Sequence, residues 1–138
     1  MSSRNRNDAG FTAVEFVLIT PVLIVALLFT VGLGRMAHAR HQVESTAADA
    51  ARAASLERNT SLAAGRGKTV AEQSLGDRGL SCAVLRVAID VSSYEPGGVV
   101  RAVVTCRTRL ADVAMTGMPG TRTISATSII PIENYRSN

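Results

Sequence analysis

Hydrophobic residues follow three different patterns along this chain. Residues 16–33 form an apolar run without a charge, and a helix of that length spans about 27 Å, close to the hydrocarbon thickness of a bilayer. Beyond residue 35, small apolar residues recur at spacings of three and four, which is typical of an amphipathic helix. From residue 84 onward, apolar and polar residues alternate, which is typical of strands. The pattern therefore predicts a membrane helix, its amphipathic continuation and a small sheet.

Pro21 lies inside the apolar run. Proline removes one backbone hydrogen bond, and membrane helices tolerate this loss when a neighbouring helix or a hydroxyl such as that of Thr20 compensates the freed carbonyl. We therefore expect a kink at Pro21 and not the end of the helix.

The stretch over residues 35–57 contains strong helix formers and neither glycine nor proline, so the helix should continue out of the bilayer. Its small face permits two interpretations, which are compatible: packing of parallel helices in a filament, and packing on the chain's own domain. This face comprises Met36, Ala39, Val43, Ala47, Ala50 and Ala54.

The remaining residues, 58–138, predict one small domain. We expect a loop over residues 58–68, a short helix that stops at Gly76, two strands joined by a turn at residues 95–98, and a third strand over residues 121–130. One face of this sheet should lie on the N-terminal helix. The predicted fold class is α+β: a long helix packed on a small antiparallel sheet of about three strands.

Composition argues against several functions. The net charge is +4, but the arginines are scattered and few aromatic residues accompany them, so nucleic acid is not an expected partner. Gly67, Lys68 and Thr69 resemble the end of a phosphate-binding loop, but Leu62 occupies the position of the required glycine. Because no catalytic arrangement is visible, we expect a protein that is not an enzyme and needs no cofactor.

His38, His41 and Glu44 share one side of the predicted helix. All three residue types bind zinc, but three ligands on one straight helix fit a tetrahedral site poorly. Solvated histidines near the membrane surface are the preferred interpretation, and no metal site is expected.

The chain has two cysteines, Cys82 and Cys106, near the outer ends of the first two predicted strands. An even number of cysteines in a small exported domain suggests a disulfide, while two buried free thiols are the alternative. Counting from the turn does not place the two residues opposite each other, so a bulge or a wider turn would be needed.

Glu15 is the single charge between residues 11 and 34. A carboxylate in a membrane segment costs about 2.5–3.5 kcal/mol on insertion scales, so it is expected to have a partner and a function. The local sequence offers no partner. The alternative is a glutamate whose side chain reaches the headgroups of a simple anchor.

The start of the chain resembles the class III signal of type IV prepilins and pseudopilins. The resemblance is carried by Gly10, followed by Phe11, Glu15 and the apolar run. In that family a prepilin peptidase cuts after the glycine, which implies a new N-terminus at Phe11. The resemblance further implies that the Phe11 ammonium group of one subunit meets the Glu15 carboxylate of another. Two unit charges 4 Å apart gain about 4 kcal/mol at an effective dielectric of 20, which offsets the insertion cost.

Residues 10–56 are more specifically similar to the TadE family of minor pilins or pseudopilins of tight-adherence (Tad, Flp-type) systems. The resemblance implies a subunit that is incorporated in a Tad-type pilus, or primes its assembly, for adhesion or surface attachment. It implies four partners: the prepilin peptidase, other pilin subunits, the membrane and the pilus assembly platform. The residues that carry it are Val14, Glu15, Phe16, Pro21, Gly32, Leu33, Gly34 and Arg35, followed by the alanine-rich helix.

Two other hypotheses remain at this point. The helix can be an uncleaved anchor of a single-pass envelope binding protein. Alternatively, Ala37, His38 and Ala39 form an ordinary signal-peptidase site that releases an exported domain.

The arginines and the cysteines predict opposite orientations of the chain in the membrane. Arg4 and Arg6 precede the apolar run whereas Arg35, Arg40 and Arg52 follow it, a bias that places the C-terminus inside. The cysteine pair and the prepilin leader, which stays cytoplasmic, place it outside. We expect a single-pass protein of the cell membrane with its C-terminal domain outside, later found in an extracellular pilus or at the cell surface.

The sequence thus predicts four segments. They are a prepilin leader (1–10), the membrane half of the helix (11–34), its extramembrane amphipathic half (35–57) and a C-terminal α+β domain (58–138).

Overall fold

A computed structural model describes the backbone of residues 7–114, 117 and 119–133, and the side chains of these residues except 7–12, 113 and 114. Residues 1–6 of the predicted leader lie outside the described residues. The elements in chain order are α1 (Asn7–Leu56), α2 (Thr60–Asp77), β1 (Val84–Ser93), β2 (Val99–Arg109), α3 (Leu110–Ala114) and β3 (Thr121–Pro131).

The two predicted halves of the N-terminal helix form one continuous element, α1. It has 50 residues and runs through Pro21 without interruption, which corresponds to a rod of about 75 Å. At its far end, the Tyr94 hydroxyl lies 2.8 Å from the Ala54 carbonyl oxygen and also contacts that of Glu57. Because the last carbonyls of a helix lack partners within it, this contact from the residue after β1 satisfies the end of α1.

α2 shows that the loop predicted over residues 58–68 is wrong. The Asn59 side chain accepts a hydrogen bond from the Ser61 backbone at 3.0 Å and caps a helix that begins at Thr60. The glycines at 65 and 67 favoured a loop, but Gly67 is buried between α1 and β1. Close packing of three elements therefore selects glycine inside this helix.

The end of α2 also differs from the predicted stop at Gly76. The helix continues to Asp77, and Gly79 follows in the left-handed conformation with φ of 70°. This conformation lets the Leu80 backbone amide donate to the Leu75 carbonyl at 3.2 Å, which closes the helix in the manner of a Schellman motif.

The sheet is antiparallel and has the order β1-β2-β3. A register shift between Asp90 and Ser93 lies next to the predicted turn at residues 95–98. Alternate residues of β2 are buried, so one face of the sheet lies against the helices while the other faces outward. The predicted α+β fold, a long helix packed on a small three-stranded antiparallel sheet, is confirmed.

The core forms where α1, α2 and the sheet meet, and many of its side chains are small. Alanine on α1 lets the sheet and α2 approach its backbone closely. The buried cluster contains Val43, Ala47, Ala50, Ala51, Ala71, Leu75, Ala102, Val104, Cys106 and Ala126. A second cluster at the far end of α1 contains Ala54, Ala63, Val100 and Ile132.

Candidate functional site

The first half of α1 has no protein partner within the described chain. Its large hydrophobic residues between Val14 and Leu33 are exposed. Among the described residues, this is the one helix long and apolar enough to cross a membrane, with a mean hydropathy of 2.7 over its most apolar window. Such a surface is stable only when lipid or other apolar helices cover it.

Glu15 lies on this uncovered surface and is exposed. No described side chain forms an ion pair or hydrogen bond with it. The next cation along α1 is Arg35, 20 positions away, which corresponds to about 30 Å of helix. The described part of the chain therefore leaves this carboxylate available for a group from outside.

Gly10 and Phe11 lie in the helical backbone at the beginning of α1, after Asn7. A protease needs an extended segment, so cleavage at this bond requires the first turn to unwind. The first turn is the part of a helix that unwinds most readily, because its amides lack partners within the helix. The position of the bond therefore suits proteolysis better than a position inside the helix would.

Pro21 leaves the Val17 carbonyl without its usual helical donor, because proline has no amide hydrogen. The Thr20 hydroxyl donates instead to the Phe16 carbonyl, at 2.6 Å. The expectation that Thr20 compensates the freed carbonyl is therefore wrong, because its side chain reaches back four residues and not three.

The small face of α1 is covered by the chain itself. Val43, Ala47, Ala50 and Ala54 are buried in the core with α2 and the sheet, and Ala39 is also buried. Of the two interpretations of this face, packing on the chain's own domain is the one the structure contains. A neighbouring helix therefore has to contact other, exposed residues of α1 and not this face.

Polar contacts fix the second half of α1 to α2. The Asp49 carboxylate accepts hydrogen bonds from the Ser74 hydroxyl and from the Arg78 guanidinium, both at 3.0 Å. Gln42 donates to the Arg78 carbonyl at 3.1 Å. These contacts join residues that are far apart in sequence. The hydrophobic and polar pattern along the chain therefore does not predict them.

Cys82 and Cys106 are joined in the structure, with sulfur atoms 1.96 Å apart. Cys106 is buried on β2, whereas Cys82 precedes β1 and has no partner in the β1–β2 register. The bulge between Asp90 and Ser93 shifts the register by a single position, so the bridge depends mainly on the irregular segment before β1.

The two histidines of α1 make local contacts. His41 lies 3.6 Å from the Glu44 carboxylate, and His38 lies 3.1 Å from the side chain of Gln42. Within the described part of the chain, no group of three potential metal ligands comes together.

Residues 10–52 match the family model described as TadE-like protein. The chain is TadE-like over this segment. The TadE-like segment begins at the glycine of the predicted cleavage site and includes Glu15, the apolar run and most of the extramembrane half of α1. The match ends before α2 and the sheet, so the C-terminal domain lies outside it. Comparison with curated proteins and with solved structures gave no significant match.

The match over residues 10–52 and the membrane-length helix suggest a pilin-like protein associated with Tad pilus systems. They also suggest a location in the membrane or the pilus, and association with the membrane and other pilus components.

Proposed function

We propose that the chain is a minor pilin or pseudopilin of a Tad-type system. A prepilin peptidase cuts between Gly10 and Phe11, and the mature subunit is then incorporated in the pilus or primes its assembly. The pilus assembly platform and other pilin subunits are its partners, and the C-terminal domain is on the outside of the membrane.

One observation carries this proposal. A carboxylate, Glu15, stands five residues after a glycine, at the start of an uncovered apolar helix and without a partner among the described side chains. The cut after Gly10 creates the missing cation, an ammonium group on Phe11. The ammonium group of one subunit reaches the Glu15 carboxylate of a neighbour only when the two helices are offset along their axes. The charge pair can therefore select this staggered arrangement during assembly.

N-terminal sequencing of the protein purified from cells tests the cleavage. The expected first residue is Phe11. Met1 or Ser2, in a strain with active prepilin peptidase, would overturn this proposal and support the uncleaved envelope anchor. A start at Arg40 would support ordinary signal cleavage, although Ala39 is buried inside a continuous helix.

Glu15→Ala tests the charge pair separately from the cleavage. Cleavage and membrane insertion should be unchanged, while incorporation into sheared pili should fall about tenfold or more, which corresponds to a loss of about 1.4 kcal/mol. Glu72→Ala is the control, because it removes an exposed acid on α2 that forms no ion pair among the described residues. Equal pilus incorporation for the wild-type protein and Glu15→Ala would eliminate the charge-pair mechanism.

A further inference from the structure

A cavity of about 270 Å³ lies between α1 and the ends of β2 and β3 that α3 connects. α1 contributes Met36 and Arg40 to it, and the strands contribute Thr108 and Arg122. Leu110, Thr123, Ile124 and Ser125 complete the wall. Two arginines and the Thr108 hydroxyl thus line one cavity together with apolar side chains, whereas the Ser125 hydroxyl bonds to Thr105.

The cavity lies just beyond the membrane segment. Met36 and Arg40 follow the end of the apolar run, Leu33, by three and seven positions, or about 5 and 10 Å along the helix. Each headgroup layer of a bilayer is about 5–8 Å thick. When α1 spans a membrane, Met36 therefore lies within the headgroup layer and the Arg40 backbone just outside it, from where the long arginine side chain can reach the headgroups.

Two polar side chains of the cavity, Thr108 and Arg122, lack partners among the described residues. The Thr108 side chain is fully buried, and its hydroxyl has no hydrogen-bond partner among the described residues. Arg122 is exposed and forms no ion pair within the described part of the chain. A buried hydroxyl without a partner is costly, so an acceptor that enters the cavity would be stabilised.

One carboxylate opposes this charge. Glu44 accepts a hydrogen bond from the Arg40 Nε at 3.0 Å, but an arginine in this arrangement keeps further N–H donors for a second acceptor. The cavity therefore retains the charge of Arg122 and the remaining donors of Arg40. A group rich in oxygen acceptors and negatively charged fits it, and arginine binds phosphate in a bidentate manner.

We infer that this cavity binds the phosphate of an anionic phospholipid headgroup. Arg40 and Arg122 hold the phosphate oxygens, the Thr108 hydroxyl gains an acceptor, and Met36 lies beside the upper part of the acyl chains. A zwitterionic choline headgroup is disfavoured because its ammonium group would lie near the same arginines. The inference rests on the membrane insertion proposed above, and not on cleavage or pilus assembly.

Native mass spectrometry of the full chain in detergent tests this assignment, with phosphatidylglycerol and phosphatidylcholine of identical acyl chains added in equal amounts. We expect Arg40 and Arg122 together to give a preference of about thirtyfold for phosphatidylglycerol over phosphatidylcholine. Arg40→Gln with Arg122→Gln should abolish the preference. Arg66→Gln with Arg86→Gln, two exposed arginines away from the cavity, removes the same charge and should preserve it.

Two further variants separate specific binding from net charge. Glu44→Gln keeps an acceptor for Arg40 but removes the negative charge beside the cavity, and should increase the preference for phosphatidylglycerol. Thr108→Val removes the hydroxyl without a change in charge and should reduce lipid retention, while the melting temperature of the lipid-free chain rises.

Several results would overturn the inference. These are equal retention of the two lipids, an equal loss in the control double variant, and displacement of the lipid by millimolar inorganic phosphate, which would identify a site for the free anion. Carbonate extraction of cell membranes reports insertion separately. A wild-type chain that is extracted overturns both the anchor and the lipid site, whereas a retained chain without lipid preference overturns the lipid site alone.

Discussion

Asp90 holds the backbone at the irregular end of β1. Its carboxylate accepts a hydrogen bond from the Ser92 backbone amide at 2.9 Å. This bond and the bond with the Ser92 side chain hold the pKa of Asp90 below its ordinary value. Desolvation opposes this shift, and the nearby charge of Arg101 adds a smaller contribution to it. The acid is exposed, and its hydrogen bonds order the bulge.

The lowered pKa of Asp90 predicts a dependence of stability on pH. The folded state binds this proton less tightly than the unfolded chain, so the stabilisation is complete above the ordinary pKa of 3.8 and is lost as the pH falls through the lower folded-state value. Asp90→Asn keeps an oxygen acceptor but does not titrate. Between about pH 5 and about pH 3, its melting temperature should fall less than that of the wild-type chain in circular dichroism. Parallel melting curves for the two proteins would contradict this role.

The roles of some single residues can be predicted from the sequence, and those of others cannot. Glu15 stands out because one charge interrupts an apolar run, and Gly10 stands out because of its spacing from Glu15. Asp49 and its partners Ser74 and Arg78 are 25 and 29 positions apart, so no local pattern links them. The cavity at Arg40 and Arg122 is hidden for the same reason, since it exists only after β3 returns to α1.

Among the elements, strands were predicted well and α2 was not. The strands alternate and are separated by a turn with proline and glycine, so local signals agree with the fold. In α2, Gly65 and Gly67 act as loop signals although Asn59 is a good cap. The burial of Gly67 against α1 and β1 is a tertiary contact, and it reverses the local preference.

The two glycines of α2 give a matched pair for testing this explanation. A Cβ at Gly65 would meet no atom within 4 Å, whereas a Cβ at Gly67 would lie 3.0 Å from Ile89 Cδ1 and 3.1 Å from the Ala50 carbonyl oxygen. Gly65→Ala should therefore stabilise the protein by about 0.5–1 kcal/mol through helix propensity. Gly67→Ala should gain nothing or destabilise it, because α1 or β1 must move. Urea denaturation of both variants measures the difference, and equal stabilisation would disprove the close packing.

At the level of the whole molecule, α1 joins two parts with different surroundings. Its first half is exposed and apolar, and its second half is the central support of the C-terminal domain. The hydrophobic pattern predicted the long helix packed on the sheet, which is confirmed, while the membrane position of its first half stays a prediction. The pattern does not show whether the small face of α1 packs against other helices in a filament or against the chain's own domain, because alanine permits close packing in both cases.

The disulfide should matter for a domain of this size. Cys82 and Cys106 are 24 positions apart, and closing a loop of this length contributes about 3 kcal/mol in the chain-entropy model. Cys82→Ala with Cys106→Ala should lower the free energy of unfolding by about this amount. Treatment of the wild-type chain with a reductant should reproduce the loss and serves as the control. Unchanged stability after reduction would favour the alternative of two buried free thiols in the purified protein.

The packing of the C-terminal domain on α1 has a mechanical consequence. Contacts are distributed along the helix, from Gln42 and Asp49 on one side to Tyr94 at its far end, and the buried face between them is continuous. A pull along the helix axis, the direction in which a subunit leaves a bilayer, loads these contacts in shear and all at once, so they cannot open one after another. Under such a force the domain therefore moves with its helix as one body.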